Sequence, residues 1–111
     1  MVFQNIPEPD VAVQVTSILQ RVLPAVGSHS FDPTTSIANR ARAEQVEAAV
    51  ASANPGTVLY DPIPWLCPSG ECPVTIDGAS VYQDTWHLAR YGSLLLTPSL
   101  KDAMQRAAQG R

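Results

Sequence analysis

Asp84 and His87 stand three positions apart in Gln83-Asp84-Thr85-Trp86-His87-Leu88, a spacing that lets a carboxylate accept the Nδ1 hydrogen of an imidazole. Such a contact fixes the tautomer and leaves Nε2 to act as a base, which is two-thirds of a nucleophilic triad. Asp-x-x-His is a short motif, however, and the same aspartate would equally cap a helix starting after it, with His87 as a partly buried first-turn residue. Cys67 and Cys72 close a loop containing proline and glycine. Their spacing fits neither a thioredoxin-type Cys-x-x-Cys nor, without a second cysteine pair, structural zinc. A local disulfide is favoured over two reduced buried thiols, and it implies an oxidising compartment such as the periplasm or the cell exterior. A zinc set of Cys67, Cys72, Asp84 and His87 is conceivable by residue type alone, and no metal is assigned. Trp65 and Trp86 are candidate walls of a substrate pocket, or else fill a sheet–helix core. Asp61 is a candidate polar contact at a strand end, or an Asx turn before Pro62. His29 has no acidic partner at useful spacing and is expected in solvent.

The elements that must position these groups fit one small domain. The chain has 111 residues, 45% of them apolar and 15% charged, so it has the apolar surface for a packed core and too little charge for disorder. Ten prolines punctuate it. The net charge is -3 and the seven basic residues are scattered, which argues against nucleic acid as a partner. No apolar run approaches a membrane span, and Met1–Asp10 lacks the pattern of an export signal. Met1–Ile6 reads as a short buried strand, and Asp10 can cap a helix carrying Val11, Val15, Ile18, Leu19 and Val22. Residues 27–35 read as a loop. A helix capped by Thr35 or Ser36 then runs to Asn54, its Ile37, Ala41, Val46, Val50 and Ala53 stripe set against a sheet and Arg40, Arg42, Glu44 and Glu47 on the opposite side. Thr57–Tyr60 reads as a second buried strand, Asp61–Leu66 as an irregular loop, and Val74–Ile76 with Ser80–Tyr82 as a ribbon around Asp77-Gly78. A helix follows from Leu88, and Thr97-Pro98 is expected to restart it toward Gly110. The fold class is α/β.

The segment Tyr82-Gln-Asp84-Thr-Trp-His87-Leu88-Ala-Arg-Tyr-Gly92, followed by Pro98 and Leu100, closely resembles the last conserved block of the SGNH, or GDSL-type, hydrolases. With Tyr60-Asp61-Pro62, the Cys-Pro-x-x-x-Cys loop and Asp77-Gly78, it is similar to the carboxyl half of the SGNH domain fused to membrane acyltransferases that modify bacterial cell-surface sugars. Met1–Pro9 looks like a strand and proline turn of the same domain. The likeness covers nearly the whole chain, closely from Tyr60 to Leu100 and more loosely before.

The resemblance implies a three-layer α/β/α, flavodoxin-like fold, present here as its C-terminal portion over residues 1–111 with an incomplete sheet. It implies cofactor-free ester chemistry, with His87 as general base and Asp84 as its orienting partner. It also implies an acyl ester or sugar acceptor as substrate, a membrane acyltransferase domain as partner, and a place at the periplasmic or extracytoplasmic face of the membrane. The family's Gly-Asp-Ser nucleophile block and its Gly and Gly-x-Asn-Asp oxyanion blocks do not occur. The chain by itself is therefore expected to be inactive, with an N-terminal part of the domain supplying the serine. The competing expectations are a stand-alone, non-catalytic α/β module and a subunit that completes its site with another chain.

Overall fold

A computed structural model describes residues 1–9, 30–84 and 86–110. The helix expected after Asp10 and the placement of His29 lie outside those residues. In chain order the described elements are β1 (Val2–Phe3), β2 (Ser30–Phe31), α1 (Thr34–Ala53), β3 (Leu59–Tyr60), α2 (Ile63–Leu66), β4 (Cys72–Pro73), β5 (Thr75–Ile76), β6 (Ala79–Ser80) and α3 (Arg90–Gln109). They form a mixed α/β arrangement with three two-stranded sheets, none of them closed.

β1 and β3 pair in parallel, Val2 opposite Leu59 and Phe3 opposite Tyr60. Backbone bonds from the Val2 N–H to the Val58 carbonyl and from the Gln4 N–H to the Tyr60 carbonyl extend the ladder at both ends. The two expected strands are thus neighbours but shorter than their apolar runs. β1 stops at Phe3, well short of Ile6: after the Gln4 N–H the chain turns away, the Asn5 carbonyl going to Arg40, and Pro7 and Pro9 beyond it cannot donate to a ladder. Phe3 remains exposed while stacking obliquely on Tyr60, ring centroids 5.0 Å apart.

α1 corrects the expected orientation of its stripe. Its buried residues are Ser36 and Arg40, whereas Ile37, Val46 and Val50 are exposed, Val46 to 61%. The cause lies in the main chain after β1, whose polar groups leave the ladder and need partners. Ser36 Oγ accepts from the Glu8 N–H at 2.8 Å and donates to the Glu8 carbonyl at 3.3 Å. Arg40 Nη1 donates to the Asn5 carbonyl at 2.8 Å, and Glu47 accepts from the Gln4 side chain at 3.1 Å. Ser36 is therefore an anchor rather than a cap; the N-terminus is supported instead by Asp32, which accepts from the Thr34 N–H at 2.8 Å.

β2 pairs antiparallel with β4, Phe31 opposite Cys72, inside a segment expected to be loop. The ribbon is present: Thr75 pairs with Ser80 and Ile76 with Ala79 around Asp77 and Gly78. Their φ values of 50° and 77° are those of a type I′ turn, which Asp-Gly tolerates best. α3 does not restart at Pro98. It runs through that residue, and the Thr97 and Ser99 hydroxyls donate back to the Ser93 and Leu96 carbonyls at 3.4 and 3.0 Å, adding side-chain bonds beside the one proline removes.

The core is built from Phe31, Leu66, Cys67, Cys72, Val74, Val81, Tyr82 and Leu96, so it sits between the β2–β4 pair, the ribbon and α3. Cys67 and Cys72 are joined in a disulfide, and both are buried in that core. Reduction is expected to destabilise the chain by about 2 kcal/mol in the chain-entropy account of so short a loop. Denaturant midpoints measured with and without dithiothreitol check this; an unchanged midpoint would show that the link contributes nothing.

Candidate active site

The segment from Tyr82 to Leu88 is a narrow excursion whose two ends are pinned to each other. Tyr82 and Leu88 form an isolated antiparallel bridge. Inside it the Gln83 N–H donates to the His87 carbonyl at 2.8 Å, and outside it the Ala89 N–H donates to the Val81 carbonyl at 2.9 Å. Val81 is in turn held to the Val74 carbonyl at 2.8 Å, continuing the ribbon. The first turn of α3 lies against the same strand, with Gly92 buried over the Val81 carbonyl.

At the tip, Asp84 Oδ1 accepts from the Trp86 N–H at 2.8 Å and from the His87 N–H at 2.9 Å. The same carboxylate meets the ring: His87 Nδ1 lies 2.8 Å from Oδ1 and 2.9 Å from Oδ2. Sequence spacing thus brought the two residues together, and the alternative role of Asp84 as cap of the next helix does not hold, since the N-cap of α3 is Ala89. With Nδ1 facing a carboxylate, Nε2 lies on the far side of a ring whose side chain is 69% exposed. The pair is poised to orient an imidazole and move a proton at Nε2.

The Trp86 backbone N–H holds the Asp84 carboxyl below its ordinary value of 3.8, partial burial opposes this, and the His87 contacts add to the lowering. A depressed folded value means that the stabilisation is complete above the unfolded value of about 3.9 and is lost as the pH falls through the depressed one. The loop should therefore keep its Asp84 contacts throughout mildly acidic solution. A carboxyl carbon titration by NMR is expected to place the Asp84 midpoint below 3.8; a midpoint at or above it would contradict these contacts.

The other predicted residues divide between two places. Trp86 is 69% exposed beside His87, and Trp65 is 54% exposed, so neither fills the core. Trp65 and Asp61 line a cleft of about 360 Å³ together with Tyr60, Ser99, Asp102 and Arg106, and neither Trp86 nor the Asp84–His87 pair is among its described walls. Asp61 also forms the Asx turn, accepting from the Ile63 N–H at 2.9 Å, and it accepts from Arg40 Nη2 at 3.2 Å. Arg40 Nε lies 2.6 Å from Glu44 Oε1 as an ion pair without the alignment of a hydrogen bond. Cys67 and Cys72, being disulfide-bonded, offer no thiolate to a metal, and no cluster of metal-ligating side chains forms among the described residues.

Sequence reasoning missed the polar end of that cleft. Asp102 and Arg106 pair at 3.0 Å across one turn of α3, and their i, i+4 spacing was the available signal. The Tyr60 hydroxyl and Ser99 Oγ, 2.7 Å apart and buried, join β3 to the same helix; nothing local in the sequence links them.

Compared with known proteins, the chain matches a family model described as SGNH domain (fused to AT3 domains) over residues 1–102. No curated protein and no solved structure matches it. No helix among the described residues is long and apolar enough to cross a membrane.

Proposed function

The chain belongs to the SGNH domain family of the kind fused to acyltransferase 3 domains, and from that membership we propose that it supplies the base half of a serine-dependent acyl-ester site. The single observation that carries this reading is the Asp84 carboxylate set 2.8 Å from His87 Nδ1. His87 Nε2 takes the proton of a serine hydroxyl as its oxygen attacks the ester carbonyl, and returns it to the departing alcohol. Asp84 stabilises the imidazolium between the two steps. Water or a sugar hydroxyl then attacks the acyl-serine, giving hydrolysis or transfer of the acyl group, an acetyl group in this reading.

The serine and the oxyanion donors come from outside these residues, because no Gly-Asp-Ser or Gly-x-Asn-Asp occurs in the chain. Residues 1–111 accordingly form the C-terminal portion of a three-layer α/β/α domain, working beside a membrane acyltransferase domain at the extracytoplasmic face. The Cys67–Cys72 disulfide supports that compartment. The exposed indole of Trp86, next to His87 in the chain, offers an apolar wall for the acyl or sugar group at the pair, while Trp65 and Asp61 line a separate cleft that would hold a more distant part of the substrate.

The test is complementation. The 111-residue chain is assayed on p-nitrophenyl acetate alone, and again fused in frame to a Gly-Asp-Ser-bearing SGNH segment or mixed with a co-purifying chain that carries one. Turnover confined to the joined form, with a fluorophosphonate probe labelling the serine only when His87 is present, supports the reading. A serine-bearing partner that gains nothing from this chain overturns it in favour of a non-catalytic module.

A further inference from the structure

Tyr82 is the largest fully buried side chain in the described fold, 1% exposed, and it is the residue from which the Asp84–His87 loop departs. Its ring packs edge-on against Phe31, centroids 5.6 Å apart, and Phe31 is the strand partner of Cys72. Its main chain is fixed twice more, by the bridge to Leu88 and by Ser80 Oγ, which donates to the Tyr82 carbonyl at 2.6 Å. The hydroxyl is buried and has no hydrogen-bond partner among the described residues. A phenylalanine would fill the same space without desolvating a polar group, so the ring and not the hydroxyl is what the core holds.

We propose that Tyr82 is the positioning residue of the Asp84–His87 pair: its ring, locked against Phe31 in the disulfide-bearing core, fixes the Tyr82–Leu88 bridge that sets the aspartate under the imidazole. This rests on reading that pair as the base half of an ester site, yet it concerns the pair's geometry and is tested without any turnover. Two catalytic groups on an exposed loop need their rotamers held by a rigid neighbour. Between β6 and Asp84 two side chains enter the core, Val81 and Tyr82; Tyr82 is the one that carries the bridge to Leu88 and stands nearer the pair, and Gln83 beyond it is exposed.

The experiment uses the full chain labelled with 15N-histidine, with His29→Asn assigning the two histidines. At a pH where His87 is neutral, the ring shifts report which nitrogen carries the hydrogen, and a carboxylate at Nδ1 favours the Nδ1–H tautomer over the Nε2–H form of free histidine. Wild type and Tyr82→Phe are expected to show the Nδ1–H tautomer. Tyr82→Leu is expected to lose it, as Asp84→Asn does. Ser99→Ala, which strips the buried Tyr60 hydroxyl of its partner far along α3, is expected to lower stability and keep the tautomer.

Retention of the tautomer in Tyr82→Leu would overturn the proposal. So would its loss in Tyr82→Phe, which would make the hydroxyl the lever, or its loss in Ser99→Ala, which would make general loosening the cause. If the tautomer responds as expected while ester turnover in the joined protein ignores Asp84 and His87, the positioning role stands and the catalytic reading falls.

Discussion

His87→Ala is expected to remove ester turnover from the joined, serine-bearing protein almost entirely, a loss of roughly 10⁵–10⁶-fold in kcat, the scale on which a triad base acts. Only the binding and oxyanion contributions survive such a change. The fold should hardly notice, because the His87 side chain is largely exposed and, among the described residues, its polar contact is to Asp84. Asp84→Asn should cost less, roughly 10⁴-fold, because it reverses the imidazole tautomer and removes the charge opposite the imidazolium. An asparagine oxygen can still accept the Trp86 and His87 backbone N–H groups that Asp84 Oδ1 accepts, so the loop is expected to persist. Thermal midpoints measured beside the rates separate chemistry from folding. Equal turnover in wild type and His87→Ala would remove His87 from the mechanism and the proposed function with it.

What could be read in advance, and what could not, follows from the range of the interactions concerned. Asp84 and His87 meet across three residues, the disulfide closes a separation of five, and the ribbon turns on Asp77-Gly78; each is decided by neighbours in sequence. The facing of α1 is not local. An apolar stripe at Ile37, Val46 and Val50 predicts burial only if the surface opposite is apolar. Here that surface is main chain at Asn5 and Glu8, and Arg40 and Ser36 are drawn in to satisfy it. Pairing of Phe31 with Cys72 joins strands 41 positions apart, and two-residue strands leave no periodic trace. The site shows the same division. The contact of Asp84 with His87 was legible, whereas the cleft wall of Asp102, Arg106 and Ser99 depends on how α3 lies beside β3 and α2.

Gly92→Ala is expected to be the most damaging single change to the fold, although it adds one methyl group. The added Cβ would stand 2.1 Å from the Val81 carbonyl oxygen and 3.0 Å from its carbon, inside any tolerable contact and against backbone rather than a side chain that could turn away. Relief would require α3 to retreat from Val81, and three things depend on that approach. The Ala89 N–H bond to the same carbonyl would lengthen, the Val74–Val81 rung would lose its backing, and the Tyr82–Leu88 bridge would open with it. Overpacking in a close-packed core costs typically 1–3 kcal/mol, and a clash with main chain lies at or beyond the upper end, about 3 kcal/mol or more. The glycine is needed for this approach and not for its own φ, which is helical. Gly92→Ser should therefore be at least as harmful, whereas Gly70→Ala, with nothing within 4 Å of its Cβ, should cost only the strain of its positive φ. Denaturant unfolding of the three variants tests the order, and a His87 spectrum of Gly92→Ala recorded below its unfolding midpoint should show the Nδ1–H tautomer weakened. Near-wild-type stability in Gly92→Ala would mean that α3 can shift without disturbing the loop, and the coupling between helix and Asp84–His87 pair would have to be abandoned.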